Sequence, residues 1–303
     1  QMAIHGIPPL LMGAMRFFTA GMLMLIWCAI KGEKLFNRSS IITSAVTGLL
    51  LLCGGNGAVI WVEQKLPSAM VAILVSAAPI WFVLLDKQNW GVNFKSKSTV
   101  AGLLIGFAGV ILLFGEQLEG MFAGGSVASK LPGMLLLILG SIAWSSGSLY
   151  SKHHPSEGSG AVNVAWQMII AGLIFLPGSL LGHEFDHLNL SQVPLKAWGA
   201  LSYLIVFGSI AAYSAYVWLL QVRPSTQVST YAYVNPVIAV ILGVVFAHEH
   251  VSLLQVTGLI IILGSVLLIN LSKYRKAKSE ADTETEGGRV GVGKDAVLQE
   301  CVK

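Results

Sequence analysis

The run Pro224-Ser-Thr-Gln-Val-Ser-Thr-Tyr-Ala-Tyr-Val-Asn-Pro236 concentrates hydroxyls, phenols and a carboxamide in an apolar neighbourhood. Such groups bind a solute by hydrogen bonds and do not by themselves break bonds. Tyr231 and Asn235 are four residues apart and share a helix face, whereas Tyr233 points elsewhere. They either line a cavity or tie neighbouring helices together, since polar side chains at such depth face a bundle interior. Asn235 also precedes Pro236, so its side chain could meet a backbone group that the proline frees. Asn56 and Tyr213 are further candidates for a substrate path, with close helix packing as the alternative because Gly54, Gly55 and Gly57 surround the first. Trp81, Trp144 and Trp166 could form an aromatic wall for an apolar or amphipathic solute, or simply pack a core. Trp61 and Trp218 lie towards segment ends, where an interfacial belt accounts for them. Arg16 is the one ionised residue well inside an apolar run. A buried arginine costs roughly 2.5–3.5 kcal/mol on insertion scales, so it must snorkel outward, clamp a neighbouring helix or attract an anion.

Bond-making chemistry is poorly represented. No apolar segment carries a Ser/His pair, a His-Glu-x-x-His run or an acidic dyad at catalytic spacing, and no Gly-x-x-x-x-Gly-Lys-[Ser/Thr] loop offers a phosphate cradle. An enzyme and a nucleotide-driven pump are therefore not expected. His183-Glu-Phe-Asp186-His187 and His248-Glu249-His250 could be drawn as metal sites, but both fall in turns where solvation is the ordinary explanation. Neither a metal nor a cofactor is expected. Glu63 stands at a segment end, and no carboxylate inside a span reads as a proton relay. A coupling proton stays open. Cys28, Cys53 and Cys301 are far apart and odd in number, which indicates no disulfide framework.

These residues sit in a chain of 303, 54% hydrophobic and 11% charged, with mean hydropathy +0.72. Soluble domains carry about 25% charge, so this chain cannot cover itself with a wetted surface. A bilayer span needs roughly 20 mostly apolar residues. That test predicts nine helices over about 9–30, 41–62, 68–86, 98–115, 132–151, 161–182, 197–220, 226–247 and 252–272. The longer links, 116–131 and 183–196, read as surface loops, and the polar tail 273–303 as disordered. Counting Lys and Arg in alternate links puts twelve on the side of the C-terminal tail and three (Lys65, Lys130, Lys196) on the other. The richer side is cytoplasmic by the positive-inside bias. No basic patch suited to nucleic acid stands apart from these links.

A repeat organises the helices. Pro67-Ser and Pro79 recur as Pro224-Ser and Pro236 at one offset (224 − 67 = 236 − 79 = 157), and Asn56 falls on Tyr213 and Trp61 on Trp218. Further along the offset is 156, placing Gly102 on Gly258. Upstream it is 151, placing Ala20-Gly21 on Ala171-Gly172. Only 132–151 lacks a partner, which suggests that the sequence is clipped by one helix and that the intact protein has ten. Two five-helix units must insert in opposite senses, the inverted repeat of many secondary transporters, with a site near the midplane. Pro79 and Pro236 then read as paired kinks on which each half gates a cavity. The units are 1–118 and 132–272.

Ala14-Met-Arg16-Phe-Phe, Pro-Ser followed by a helix with an internal proline, Ala247-His-Glu249-His-Val-Ser-Leu-Leu-Gln-Val-Thr-Gly258, and Gly140-Ser-Ile-Ala-Trp144-Ser-Ser-Gly-Ser-Leu-Tyr150-Ser-Lys152 together resemble the EamA-type branch of the drug/metabolite transporter superfamily. The resemblance covers roughly residues 8–272. It implies a ten-helix permease of a bacterial inner membrane, often an exporter of amino acids or other small metabolites, with a central cavity between its halves and a monomer or homodimer as the assembly. A channel or a non-transporting scaffold is the alternative.

Overall fold

The computed structural model describes residues 7–116, 127–155, 158–187, 193–247 and 252–270, and among these every regular element is helical. In chain order they are α1 (Pro9–Ile30), α2 (Arg38–Val62), α3 (Ser68–Val75), α4 (Ala78–Leu85), α5 (Lys97–Leu113), α6 (Val127–His153), α7 (Gly160–Leu181), α8 (Leu195–Val222), α9 (Ser225–Ser229), α10 (Tyr231–Ala247) and α11 (Leu253–Asn270). All nine expected segments are helical, with ends displaced by a few residues. Six of them, α1, α2, α6, α7, α8 and α11, are long and apolar enough to cross a bilayer alone, and Ala69–Leu85 adds a seventh if counted with the short helix Lys87–Asn93, bent from it by 67°. Among the described residues this is fewer than the nine full spans expected. Helices α5 and α10 have 17 residues each, and Thr230 interrupts the stretch before α10. The tail 273–303, expected to be disordered, most of the 116–131 loop and His248-Glu249-His250 lie outside the described residues.

The local breaks have identifiable causes. Helix α2 is π-helical over Leu49–Asn56 and α8 over Leu204–Tyr213, and the two wide stretches end on residues 157 apart (213 − 56). Between α3 and α4 the helix pauses at Ser76 and Ala77, and Pro79 lies in the first turn of α4, where its missing N–H is no loss. Pro236 instead sits inside α10, six residues past the break at Thr230. The two prolines therefore stand at different distances from the break in their own half. Pro236 cannot donate to the Ala232 carbonyl four residues back. Ser76 Oγ supplies that bond at 3.1 Å, sharing its hydrogen with the Ala72 carbonyl at 2.7 Å, so Asn235 is not the group that meets the freed carbonyl.

Tertiary packing is reciprocal at two crossings. Where α1 crosses α7, a β-carbon on Gly21 would come within 2.7 Å of Ile169 and one on Gly172 within 2.6 Å of Phe18. Phe18 and Ile169 are themselves counterparts at offset 151. Where α5 crosses α11, Gly102 lies against Ile269 and Gly258 against Leu113, and Leu113 and Ile269 are counterparts at offset 156. In each pair residue i meets j′ while j meets i′. The core divides accordingly, one cluster forming around Phe17, Leu52, Met168 and Phe175 and another around Val110, Tyr233 and Ile262.

Candidate functional site

A cavity of about 490 Å³ lies among α2, α3, α6 and α10. Five of the expected residues meet there: Asn56, Trp144, Tyr231, Asn235 and Pro236. Around them the wall is apolar or small, with Gly55, Val59, Val75 and Leu137. The cavity runs from mid-helix residues towards the end where α2, α5 and the link before α3 terminate, and Glu63 and Phe114 line that end. Glu63 is the only acidic or basic side chain among the described lining residues. Burial raises its carboxyl above the ordinary carboxylate value. Charge cannot be stabilised as well against apolar walls as in water, which opposes ionisation.

Trp144, on the cavity wall, belongs to a closed ring of hydrogen bonds. Trp144 Nε1 donates to Tyr216 Oη at 2.9 Å, and Ser148 Oγ donates to the Trp144 carbonyl at 2.7 Å. Tyr216 and Ser148 hydroxyls are 2.6 Å apart, and because the Ser148 hydrogen is committed, the phenol donates to Ser148. Tyr231 stands edge-on to Tyr216 with ring centres 5.3 Å apart, and Trp144 leans on Tyr216 at 5.2 Å. Phe82, Leu220 and Val228 back the ring with apolar bulk. Gly55 makes room for it, because a β-carbon there would come within 2.7 Å of the Trp144 indole.

The other expected residues lie elsewhere. Tyr213 is buried in the core and donates to Gln167 Oε1 at 2.7 Å. Trp166 reaches the α1–α2 link, giving its Nε1 hydrogen to the Leu35 carbonyl at 2.9 Å and packing edge-on against Phe36. Trp81 is half-buried on α4 outside the cavity wall, and Pro79 is buried at the start of that helix. Arg16 Nε donates to Ser209 at 2.7 Å, and its guanidinium lies 4.9 Å from the Phe17 ring centre. It thus ties α1 to the π-helical stretch of α8. In the 183–187 turn, exposed His183 and Asp186 approach to 3.2 Å, while Glu184 turns inward and accepts from the Leu10 and Leu11 amides at 3.1 and 2.8 Å.

Sequence reasoning missed Tyr216, Ser148, Ser141 and the cavity position of Glu63. One signal was available for two of them. Ser141, Trp144, Ser148 and Ser151 recur at spacings of three, four and three, a polar stripe on one face of α6. Nothing local marked Tyr216, whose importance comes from the helix opposite.

At the end of the bundle away from Glu63 the helices are tied by a polar cluster. Asp86 at the close of α4 has a fully buried carboxylate that accepts from Ser225 Oγ at 2.7 Å and from Asn89 Nδ2 at 3.0 and 3.1 Å, with His153 Nε2 at 3.4 Å. Lys152 donates to the carbonyls of Leu220 and Arg223, both at 2.6 Å, stabilising the end of α8.

Comparison with known proteins gives a consistent outcome. The model of the EamA-like transporter family matches residues 1–115 and 131–271. The Escherichia coli (strain K12) protein named "Uncharacterized inner membrane transporter YedA" is 34% identical over 276 residues, covering 90% of this chain and 85% of that protein. "Uncharacterized transporter YvbV" of Bacillus subtilis (strain 168) is 25% identical over 273 residues, covering 89% and 85%. A solved crystal structure superposes with a TM-score of 0.72 at 18% identity, over 89% of this chain and 90% of that one, which speaks to the fold alone.

Proposed function

The chain belongs to the EamA-like transporter family, and from that premise we propose that it is a secondary transporter moving a small organic metabolite by alternating access between two inverted repeats. The observation that carries the reading is the cavity itself: about 490 Å³, reaching mid-helix depth, with Glu63 and Trp144 of the Trp144–Tyr216–Ser148 ring among its lining residues. A volume of this order suits a small organic molecule, as ligand pockets generally measure 300–1,000 Å³. The reciprocal glycine crossings support a two-fold relation between the halves, and Ser76 meeting Ala232 supports an axis passing near the helix breaks, since 75 and 232 are counterparts at offset 157. The excess of basic residues at the Asp86 end supports assigning that end to the cytoplasm. The cavity then faces outward, and export is the direction that the family resemblance implies. A proton is the coupling partner most in keeping with Glu63, whose carboxyl is harder to ionise against the cavity's apolar walls than in water.

Flux into proteoliposomes tests the reading. A carrier gives saturable uptake and counterflow across a panel of labelled amino acids and amphipathic amines. An unsaturable, ohmic current would replace it with a channel.

A further inference from the structure

A second cavity of about 190 Å³ lies towards the Asp86 end, among α2, α6, α7 and α8. Its chemistry differs from that of the first. Thr43, Ser44, Ser151, Gln167, Gln221 and His154 contribute hydroxyls, carboxamides and one imidazole, and no carboxylate, ammonium or guanidinium is among its described lining residues. Two elements, α2 and α6, line both cavities. Asn56 of α2 borders the first and Thr43 the second; Trp144 of α6 borders the first and Ser151 the second. The seven residues from Trp144 to Ser151 rise about 10 Å along the helix. Ser148 lies between them on the same face, and Tyr216 of α8 directly precedes Val217, which lines the second cavity.

We propose that the polar cavity is a second station on the transport path and that the Trp144–Tyr216–Ser148 ring is the gate between the two stations. This rests on the transporter reading above. The ring satisfies its own donors and acceptors, so it can seal a path without leaving an orphaned polar group, which would be costly at this depth. Opening requires those bonds to be exchanged for others, and a substrate group able to donate and accept hydrogen bonds supplies them. The second station lacks a counter-charge, and an unpaired ion is expensive to bury. The group it takes is therefore uncharged, such as an amide or hydroxyl, while the apolar body of the substrate occupies the first cavity. A pocket of this size filled only with structural water would hold about six molecules at roughly 30 Å³ each. Gate mutations would then change nothing on the far side.

The test uses Thr43→Cys and Val59→Cys, each in a background with Cys28, Cys53 and Cys301 replaced by alanine, in right-side-out and inverted vesicles. The probe is a membrane-impermeant cationic thiosulfonate. In the parent background Val59→Cys reacts only from the Glu63 side and Thr43→Cys only from the Lys152 side. Adding Tyr216→Ala exposes each cysteine to reagent from the opposite side, with the labelling rate there rising at least tenfold. Ser148→Ala, which opens the ring without creating a large void, shifts both rates in the same direction by less. Unchanged sidedness in Tyr216→Ala and Ser148→Ala proteins that keep the parent's melting temperature and gel-filtration profile would overturn the proposal. So would a Thr43→Cys protein inert from both sides while Val59→Cys reacts. Labelling needs no substrate, so a gate that behaves as described in a protein without saturable flux would remove the carrier and leave a gated pore.

Discussion

Glu184 supports the fold through a backbone that belongs to another helix. Its carboxylate caps the start of α1 by accepting the Leu10 and Leu11 amides, and Ser179 donates to it at 3.0 Å. Helix α1 opens on Pro8-Pro9 and has no side-chain cap of its own, so the remote carboxylate meets both unpaired amides and the positive end of the helix dipole. Glu184→Gln should cost about 1–2 kcal/mol, read as a lower melting temperature in detergent. Glu63 carries a pH signature instead. Its folded-state pKa is raised by burial, so the folded protein holds a proton that the unfolded chain has already released. Its contribution to stability is present below the ordinary carboxylate pKa and lost as pH rises through the raised value. Glu63→Gln should therefore gain stability relative to the parent as pH rises across that window, and should flatten the pH profile of transport. An equal response of both proteins to pH would sink this assignment.

At the scale of elements, the glycines decide how closely helices cross. A β-carbon on Gly258 would come within 2.7 Å of the Leu113 amide nitrogen, a backbone atom that no side-chain rotation can move away. Gly258→Ala should destabilise by about 1–3 kcal/mol, the usual range for overpacking. Gly264, on the same helix α11, has nothing within 4 Å of its notional β-carbon, so Gly264→Ala should be neutral or mildly stabilising. Thermal unfolding of the two variants side by side separates close approach from helix propensity. The π-helical stretches follow the same logic. A wide turn shifts the helix face, and in α2 it ends at Asn56 on the cavity wall.

At the scale of the whole molecule the two ends of the bundle are unequal. Asp86 joins α4 to the starts and ends of helices in the second half through Ser225 and His153, while Lys152 holds the end of α8. The counterpart of Asp86 at offset 157 is Gly243, which has no side chain to form a matching latch. The packing is duplicated at the glycine crossings, but among the described residues the Asp86 cluster is not repeated at that offset, and the extra hydrogen bonds help to hold the Asp86 end together. Asp86→Asn keeps the shape and removes the charge, weakening hydrogen bonds that contribute about 1.5–3 kcal/mol when charge-assisted. Labelling of Thr43→Cys from the Lys152 side should accelerate in that variant. An unchanged rate in a folded protein would show that the cluster does not limit access.

The amino-acid sequence alone determined the membrane class and the helical segments, because these follow from composition and apolar run length along one chain, and it carries the fixed offsets on which the proposed repeat rests. It also singled out Asn56, Trp144, Tyr231 and Asn235, polar or aromatic groups in apolar runs that do share one cavity. Placement across helices was not legible. Tyr213 is the repeat counterpart of Asn56, yet it turns into the core to meet Gln167, since equal position in a repeat does not set which neighbour a longer side chain reaches. Tyr216 looks like one more aromatic residue until α6 brings Trp144 and Ser148 within hydrogen-bond distance of its hydroxyl. Pro236 announces a freed carbonyl, but only the approach of α3 shows that Ser76 fills it. Runs and periods are properties of a single helix, whereas gates and latches depend on contacts between residues about 70 to 160 positions apart, which tertiary packing alone brings together.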